Sequence, residues 1–219
     1  MMNTLVEENY LKTIFLSCAE NGEVNMTELS KKLGIKIPTV TSMMKKLSDK
    51  KLVHYESYKP IKLTEKGKKE AAIIIRKHRL TEMYLVKVMG FGWEEVHEIA
   101  EQLEHVHAAN FFDKMDEILG FPTIDPHGSP IPDKNGKMIW KQYTKLSDCK
   151  VGDEIKITAV LDSSLEFLNF LNNKNLKLGI KIKVISLEEY DKSMLVNYNQ
   201  KKEEMLSHTV CERLLGEVN

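Results

Sequence analysis

The chain has 219 residues, 42% hydrophobic and 29% charged, and its 32 basic residues balance 32 acidic ones. This is the profile of an ordinary soluble protein with a real core, long enough for two or three domains. No apolar run nears the roughly 18 residues of a membrane span. The start MMNTLVEENYLK has no signal-peptide profile, and three scattered cysteines (Cys18, Cys149, Cys211) fit reduced cytoplasmic thiols better than a disulfide framework.

The charge is unevenly spread. Thr27 to Arg79 carries 15 Lys/Arg against 5 Asp/Glu, whereas Leu80 to Asn219 carries 16 against 23. A basic front and an acidic back suggest a polyanion-binding module joined to something else. Asn9–Cys18 reads as an amphipathic helix with Tyr10, Leu11, Ile14 and Phe15 on its apolar face. A second helix is expected to open at an N-cap, Thr27, and to close at Gly34. Pro38 then starts a third, where a missing N–H costs nothing.

Helix, glycine, tight turn, helix is the helix-turn-helix pattern. The second of these helices turns Thr39, Ser42, Lys45 and Lys46 outward, with Val40, Met43, Met44 and Leu47 inward. Short hydroxyl side chains can approach base edges and lysines suit phosphates, so Lys36, Pro38, Thr39, Ser42, Lys45 and Lys46 form the candidate DNA face. Two short strands about Tyr58, Lys59 and Pro60 would make a β-wing, with Tyr58 and Lys59 near the DNA backbone. The bland alternative is a set of core helices with a solvated lysine face.

A long helix is expected from near Lys66 to the Gly90-Phe91-Gly92 break, and another from Trp93 to Gly120. On the first, His78 and Glu82 stand at i, i+4. On the second, His97, Glu101, Glu104 and His105 share one stripe in place of core hydrophobes. Burying such groups unpaired is costly, and converging His and Glu side chains make a transition-metal site. His107 falls on another side of the helix and is expected at the surface. The apolar end of the helix, Phe111 to Leu119, suits a subunit interface or ordinary core.

Gly120–Lys137 is a Pro/Gly/Asp-rich loop. Beyond it, short strands around one helix, SSLEFLNFLNNKN, suggest a small SH3-like barrel. The final run EEMLSHTVCERLLGEV reads equally as helix or strand. The expected fold is therefore mainly α with a β tail, divided at 1–72, 73–140 and 141–219.

The strings HRLTEMYL, WEEVHEIAEQLEHV and LGFPTIDPHGSPIP, with the winged helix before them, resemble the diphtheria-toxin-repressor family of metal-dependent regulators. The resemblance covers essentially the whole chain, and its tail is similar to the iron-transport-associated domain of longer members. It implies a homodimer, two metal sites per subunit, and operator DNA as partner. The primary site would use Glu101, Glu104, His105 and, from the first helix, Asn9, where many relatives carry aspartate or methionine. The second would use His78, Glu82 and His97, or, in another branch, Asp125, His127 and Asp162. Asp125 can equally cap a turn before Pro126.

Glu101 stands where iron-responsive members tend to carry cysteine. A set of carboxylates and one imidazole favours Mn²⁺, with Fe²⁺ the alternative. The implied function is a metal-activated repressor of manganese or iron uptake genes. Two rivals are a metallohydrolase, for which HEIAE lacks the second histidine of HExxH, and a DNA-binding protein with a fixed structural zinc.

Overall fold

A computed structural model describes residues 3–199 and 201–218. The first helix starts earlier than its apolar periodicity suggests, because Thr4 closes a capping box. Its hydroxyl accepts from the Glu7 N–H (3.3 Å), and its own N–H donates to the Glu7 carboxylate (2.7 Å). Such a cap contributes about 1 kcal/mol. The resulting α1, Leu5–Asn21, buries Tyr10, Leu11 and Ile14.

Helix α2, Met26–Leu33, is capped by Asn25, which accepts from the Glu28 N–H. Asparagine followed three residues later by glutamate displaces Thr27 from the expected cap position. Gly34 ends α2 at φ 66°. Helix α3, Ile37–Asp49, follows with Pro38 in its first turn and Val40, Met44 and Leu47 buried. The wing is a minimal antiparallel pair, β1 Val53–His54 and β2 Lys62–Leu63, with Tyr58 fully exposed between them. Leu29, Leu52 and Ile61 complete the core under α1 and α3.

Helix α4 spans Glu65–Lys87. The expected single helix from Trp93 to Gly120 is instead two, α5 His97–Leu103 and α6 Ala109–Ile118. Tertiary contacts impose the break, since Lys77 Nζ donates to the Val106 carbonyl in the gap (3.0 Å) and His105 is drawn to α1. Arg76 of α4 also pairs with Asp116 of α6 (2.6 Å) and donates to the Pro132 carbonyl (2.9 Å).

The tail holds a six-stranded antiparallel sheet of SH3-like type. Its strands are β3 Thr144–Lys145, β4 Glu154–Val160, β5 Lys181–Leu187, β6 Met194–Tyr198, β7 Lys201–Leu206 and β8 Leu214–Val218. Their order is β3-β8-β4-β5-β6-β7. Register shifts at Ile157/Ala159 and Val184/Ser186 bend it around Ile155, Ile157, Ile182 and Val184. Helix α7, Leu165–Asn173, packs Phe167, Leu168 and Leu171 into this core. The ambiguous final run resolves into β7, the short α8 His208–Arg213, and β8.

The chain groups into two compact units. One comprises residues up to Thr81, Ala100–Phe121 and Ile131–Ile139; the other comprises Glu82–Ile99, Pro122–Pro130 and the chain from Trp140. Among the described residues no helix is long and apolar enough to cross a membrane. The three cysteines are free. Burial pushes all three thiols up, Cys149 to about 11 and Cys211 to about 12.

Candidate metal centre and nucleic-acid interface

In the first unit, ionisable side chains from α1, α4 and the α5–α6 turn meet. Glu104 lies just past the end of α5 and is fully buried. Its carboxylate faces His78 Nδ1 at 2.6 Å and Lys12 Nζ at 2.8 Å, and Lys12 also reaches Glu101 at 3.3 Å. Burial alone raises the Glu104 carboxyl, but the His78 hydrogen bond and the Lys12 ammonium outweigh it and hold the group below its ordinary range.

His105 Nδ1 lies 2.6 Å from Glu8 Oε2. A carboxylate only accepts, so Nδ1 donates to Glu8, while Nε2 is turned toward Glu104 Oε1, 3.6 Å away. That is how a histidine is oriented for a metal: one nitrogen held by a carboxylate, the other presented. Glu104 Oε1 accepts no well-aligned hydrogen bond among the described residues, although Lys12 Nζ lies 2.8 Å away. Hard carboxylate oxygens and one imidazole nitrogen fit a divalent first-row cation.

The four residues of the expected stripe therefore do not lie along one helix. His97 and Glu101 are in α5, whereas Glu104 and His105 are on the turn after it. The α1 side chain that meets His105 is Glu8, while Asn9 beside it is half-buried and its carbonyl accepts from Thr13. The sequence does carry a signal for Glu8, which falls on the Leu11 side of α1, a carboxylate at a core position. His107 is exposed, as expected, with its Nε2 3.9 Å from Glu8.

In the second unit, Glu82, Asp125 and His127 are all buried, with one ligand-capable atom from each lying within 4.8 Å of the others. Glu82 also reaches His97 Nδ1 at 3.3 Å. His127 Nε2 donates to the Trp93 carbonyl at 2.8 Å, and its Nδ1 faces the Glu82 carboxylate, 3.6 Å away. Burial pulls the His127 pKa down, but Glu82 and Asp125 more than compensate and raise it. Asp125 accepts from the His127 and Ser129 N–H groups, so its turn-capping role is realised as well.

His78 precedes Glu82 by one turn of the same helix α4, and it also pairs with Glu104. Asp162 lies outside the Glu82 group, because Arg213 holds it at 2.8 Å and it accepts from the Ser164 N–H.

Gly128 fixes the Asp125–His127 turn against β4. It has φ +89°, and a Cβ there would stand 2.2 Å from the Thr158 carbonyl oxygen. Gly128→Ala is expected to destabilise the fold by more than about 3 kcal/mol, since the obstacle is backbone. Urea unfolding measures it, and a loss under about 1 kcal/mol would refute the close approach.

On α3, Thr39, Ser42, Lys45 and Lys46 are exposed, as are Lys36 and Pro38 at its start. Lys59 of the wing pairs with Glu56. A winged helix-turn-helix carrying a buried Glu/His cluster defines a metal-sensing DNA-binding protein.

Comparison with known proteins agrees. Residues 2–61 match the iron dependent repressor N-terminal DNA binding domain, and 64–133 the iron dependent repressor metal binding and dimerisation domain. An HTH-type transcriptional regulator of Methanocaldococcus jannaschii is 39% identical over 109 residues, 49% of this chain and 87% of that protein. The iron-dependent repressor IdeR of Mycobacterium bovis is 36% identical over 133 residues, 60% of this chain, and the match spans 58% of the mycobacterial protein. A manganese-dependent transcriptional repressor solved with manganese superposes with TM-score 0.86 at 27% identity, covering 96% of this chain and 98% of that one. ScaR with bound Cd²⁺ gives 0.83 at 28%, covering 96% and 98%. The chain belongs to the diphtheria-toxin-repressor family, whose members are metal-dependent DNA-binding transcriptional repressors and not enzymes.

Proposed function

We propose that the chain is a manganese-activated, homodimeric repressor of metal-uptake genes. The observation that carries this is the Glu104 cluster, where Glu8 orients His105 and Glu104 and Glu101 supply hard oxygen donors. Glu101, Glu104 and His105, with Asn9 beside them, would hold the primary ion. Glu82, Asp125 and His127, with His97 and His78 nearby in sequence, would supply a second site, and Asp162 has no part in it. A divalent cation held there would supply positive charge to the Glu101 and Glu104 carboxylates.

The donor set contains no thiolate, which suits Mn²⁺. The solved relatives named for manganese support this choice. Iron is the second reading, favoured by the curated relatives named for iron. Residues 1–72 would bind DNA, 73–140 would bind metal and dimerise, and 141–219 would form the SH3-like domain. Two recognition helices would enter major grooves about 34 Å apart, or another spacing set by the DNA repeat.

The test is capture of genomic fragments by the purified chain, with Mn²⁺ and with a strong chelator. Fragments retained only with metal, from beside metal-transport genes, are the expected result. Retention indifferent to the chelator would reduce the cluster to a structural role. On the recovered operator, Ser42→Ala should change sequence preference. Lys46→Ala should weaken all sequences alike and lower the salt slope by about 1. Equal effects of Ser42→Ala on every operator variant would remove it from base reading.

A further inference from the structure

Glu7 sits next to Glu8 on α1 and is fully buried, yet it faces α3. Its carboxylate is 2.8 Å from Lys50 Nζ and 3.2 Å from Lys46 Nζ, and it accepts from the Thr4 N–H at 2.7 Å. Lys46 and Lys50 stand at i, i+4, one above the other near the end of α3. Lys46 keeps 54% of its side chain exposed, so one ammonium belongs both to the candidate DNA face and to a buried carboxylate.

We propose that Glu7 is a positioning residue that latches the recognition helix to α1, so that Glu7 and Glu8 together carry the state of the metal centre into α3. The latch rests on the functional reading above, in which α3 meets DNA and the Glu8–His105 region meets metal. Three features support it. The Thr4 capping box fixes the Glu7 side chain, so the carboxylate cannot follow α3 by changing rotamer. Consecutive residues point about 100° apart around a helix, which lets one turn of α1 hold His105 on one side and two lysines on another. And a buried ion pair adds less to stability than well-packed apolar residues would, so its use here fits a role in setting geometry.

The latch also meters charge. Glu7 partly neutralises two lysines that would otherwise be available to phosphates, which holds sequence-independent binding down. Any movement of α1 that follows metal binding at His105, which Glu8 holds, is transmitted to Lys46 and Lys50 through Glu7. Thermodynamic reciprocity requires the same route to operate from the DNA side.

The experiment uses the full chain and its Glu7→Gln and Lys50→Gln variants. Mn²⁺ alone is titrated against each in a competing fluorescent chelator. Each is then titrated by anisotropy with the Mn²⁺-captured fragment and with a random duplex, with and without Mn²⁺, at several salt concentrations. Thermal melts report folding.

For Glu7→Gln the Mn²⁺ titration without DNA should stay within about twofold of wild type, while the metal-activation factor for the captured fragment falls at least about tenfold. The random duplex should bind more tightly and with a steeper salt slope, because two lysines are released. The fragment should also lose, by the same factor, its power to tighten Mn²⁺ binding. Lys50→Gln, at a partly exposed position, should lower the activation factor at least about threefold, and it carries the test if Glu7→Gln fails to fold.

A folded Glu7→Gln or Lys50→Gln chain with activation factor and salt slope unchanged would overturn the latch and leave the functional reading standing. A wild-type chain that binds equally with Mn²⁺ and with chelator would overturn both.

Discussion

Glu104→Gln is expected to abolish metal-activated DNA binding. The carboxylate is fully buried and stands between His78, Lys12 and His105, so it is the charge on which the cluster converges. Glutamine keeps the shape but removes the charge and presents an amide N–H₂ to an ammonium or an imidazole. Metal affinity should fall at least about 100-fold, or about 2.8 kcal/mol. Operator binding in Mn²⁺ should then match that in chelator.

A mobility shift and a metal titration on the same preparation decide it, with a melt to show that the chain is folded. Wild-type activation in this variant would place Glu104 outside the ligand set. The folded chain holds the Glu104 carboxyl below its ordinary 4.5. Its contribution to stability is therefore complete above that value and lost as pH falls through the lowered folded one. Glu104→Gln should flatten that part of the acid-unfolding curve.

Glu8→Gln is expected to loosen metal binding about ten- to a hundredfold, the usual effect of losing the carboxylate that orients a ligating histidine. An amide at this position can still accept from His105 Nδ1, but it no longer holds the ring with a charged acceptor. Asn9→Asp should act in the opposite sense, by adding a charged oxygen one position further along α1. Titration of both variants with Mn²⁺ separates the two residues. Binding loosened by Glu8→Gln and indifferent to Asn9→Asp would assign the α1 contribution to Glu8 alone.

The parts of the structure that local chemistry controls were readable from the sequence. Gly34 ends α2, Pro38 opens α3, and the alternation of Val40, Met44 and Leu47 with Thr39, Ser42 and Lys45 follows the helical period. What escaped was set by partners far along the chain. The hydrophobic and His/Glu periodicity continues through Glu104–Ala108, yet Lys77 and Glu8 seize the Val106 carbonyl and His105 and turn the backbone out of helix.

Glu8 was masked by the family position at Asn9, although a carboxylate on the Leu11 side of α1 is the kind of core violation that marks a site. Asp162 has ligand chemistry but an arginine 51 positions later, Arg213, which sequence spacing could not pair with it. Strand β8 inserts between β3 and β4, a non-local pairing with no signature in the strands themselves.

The suppressed acidity of the cysteines has a consequence for the life of such a sensor. Peroxide and disulfide reagents react with thiolates, and at neutral pH Cys149 and Cys211 hold almost none, since burial places their ionisation near the alkaline limit. The candidate donors are carboxylates and imidazoles, which sit off the sulfur oxidation ladder altogether. On the proposed reading, oxidation of these two buried thiols would leave the ligand set itself intact, unlike that of a thiolate-ligated regulator.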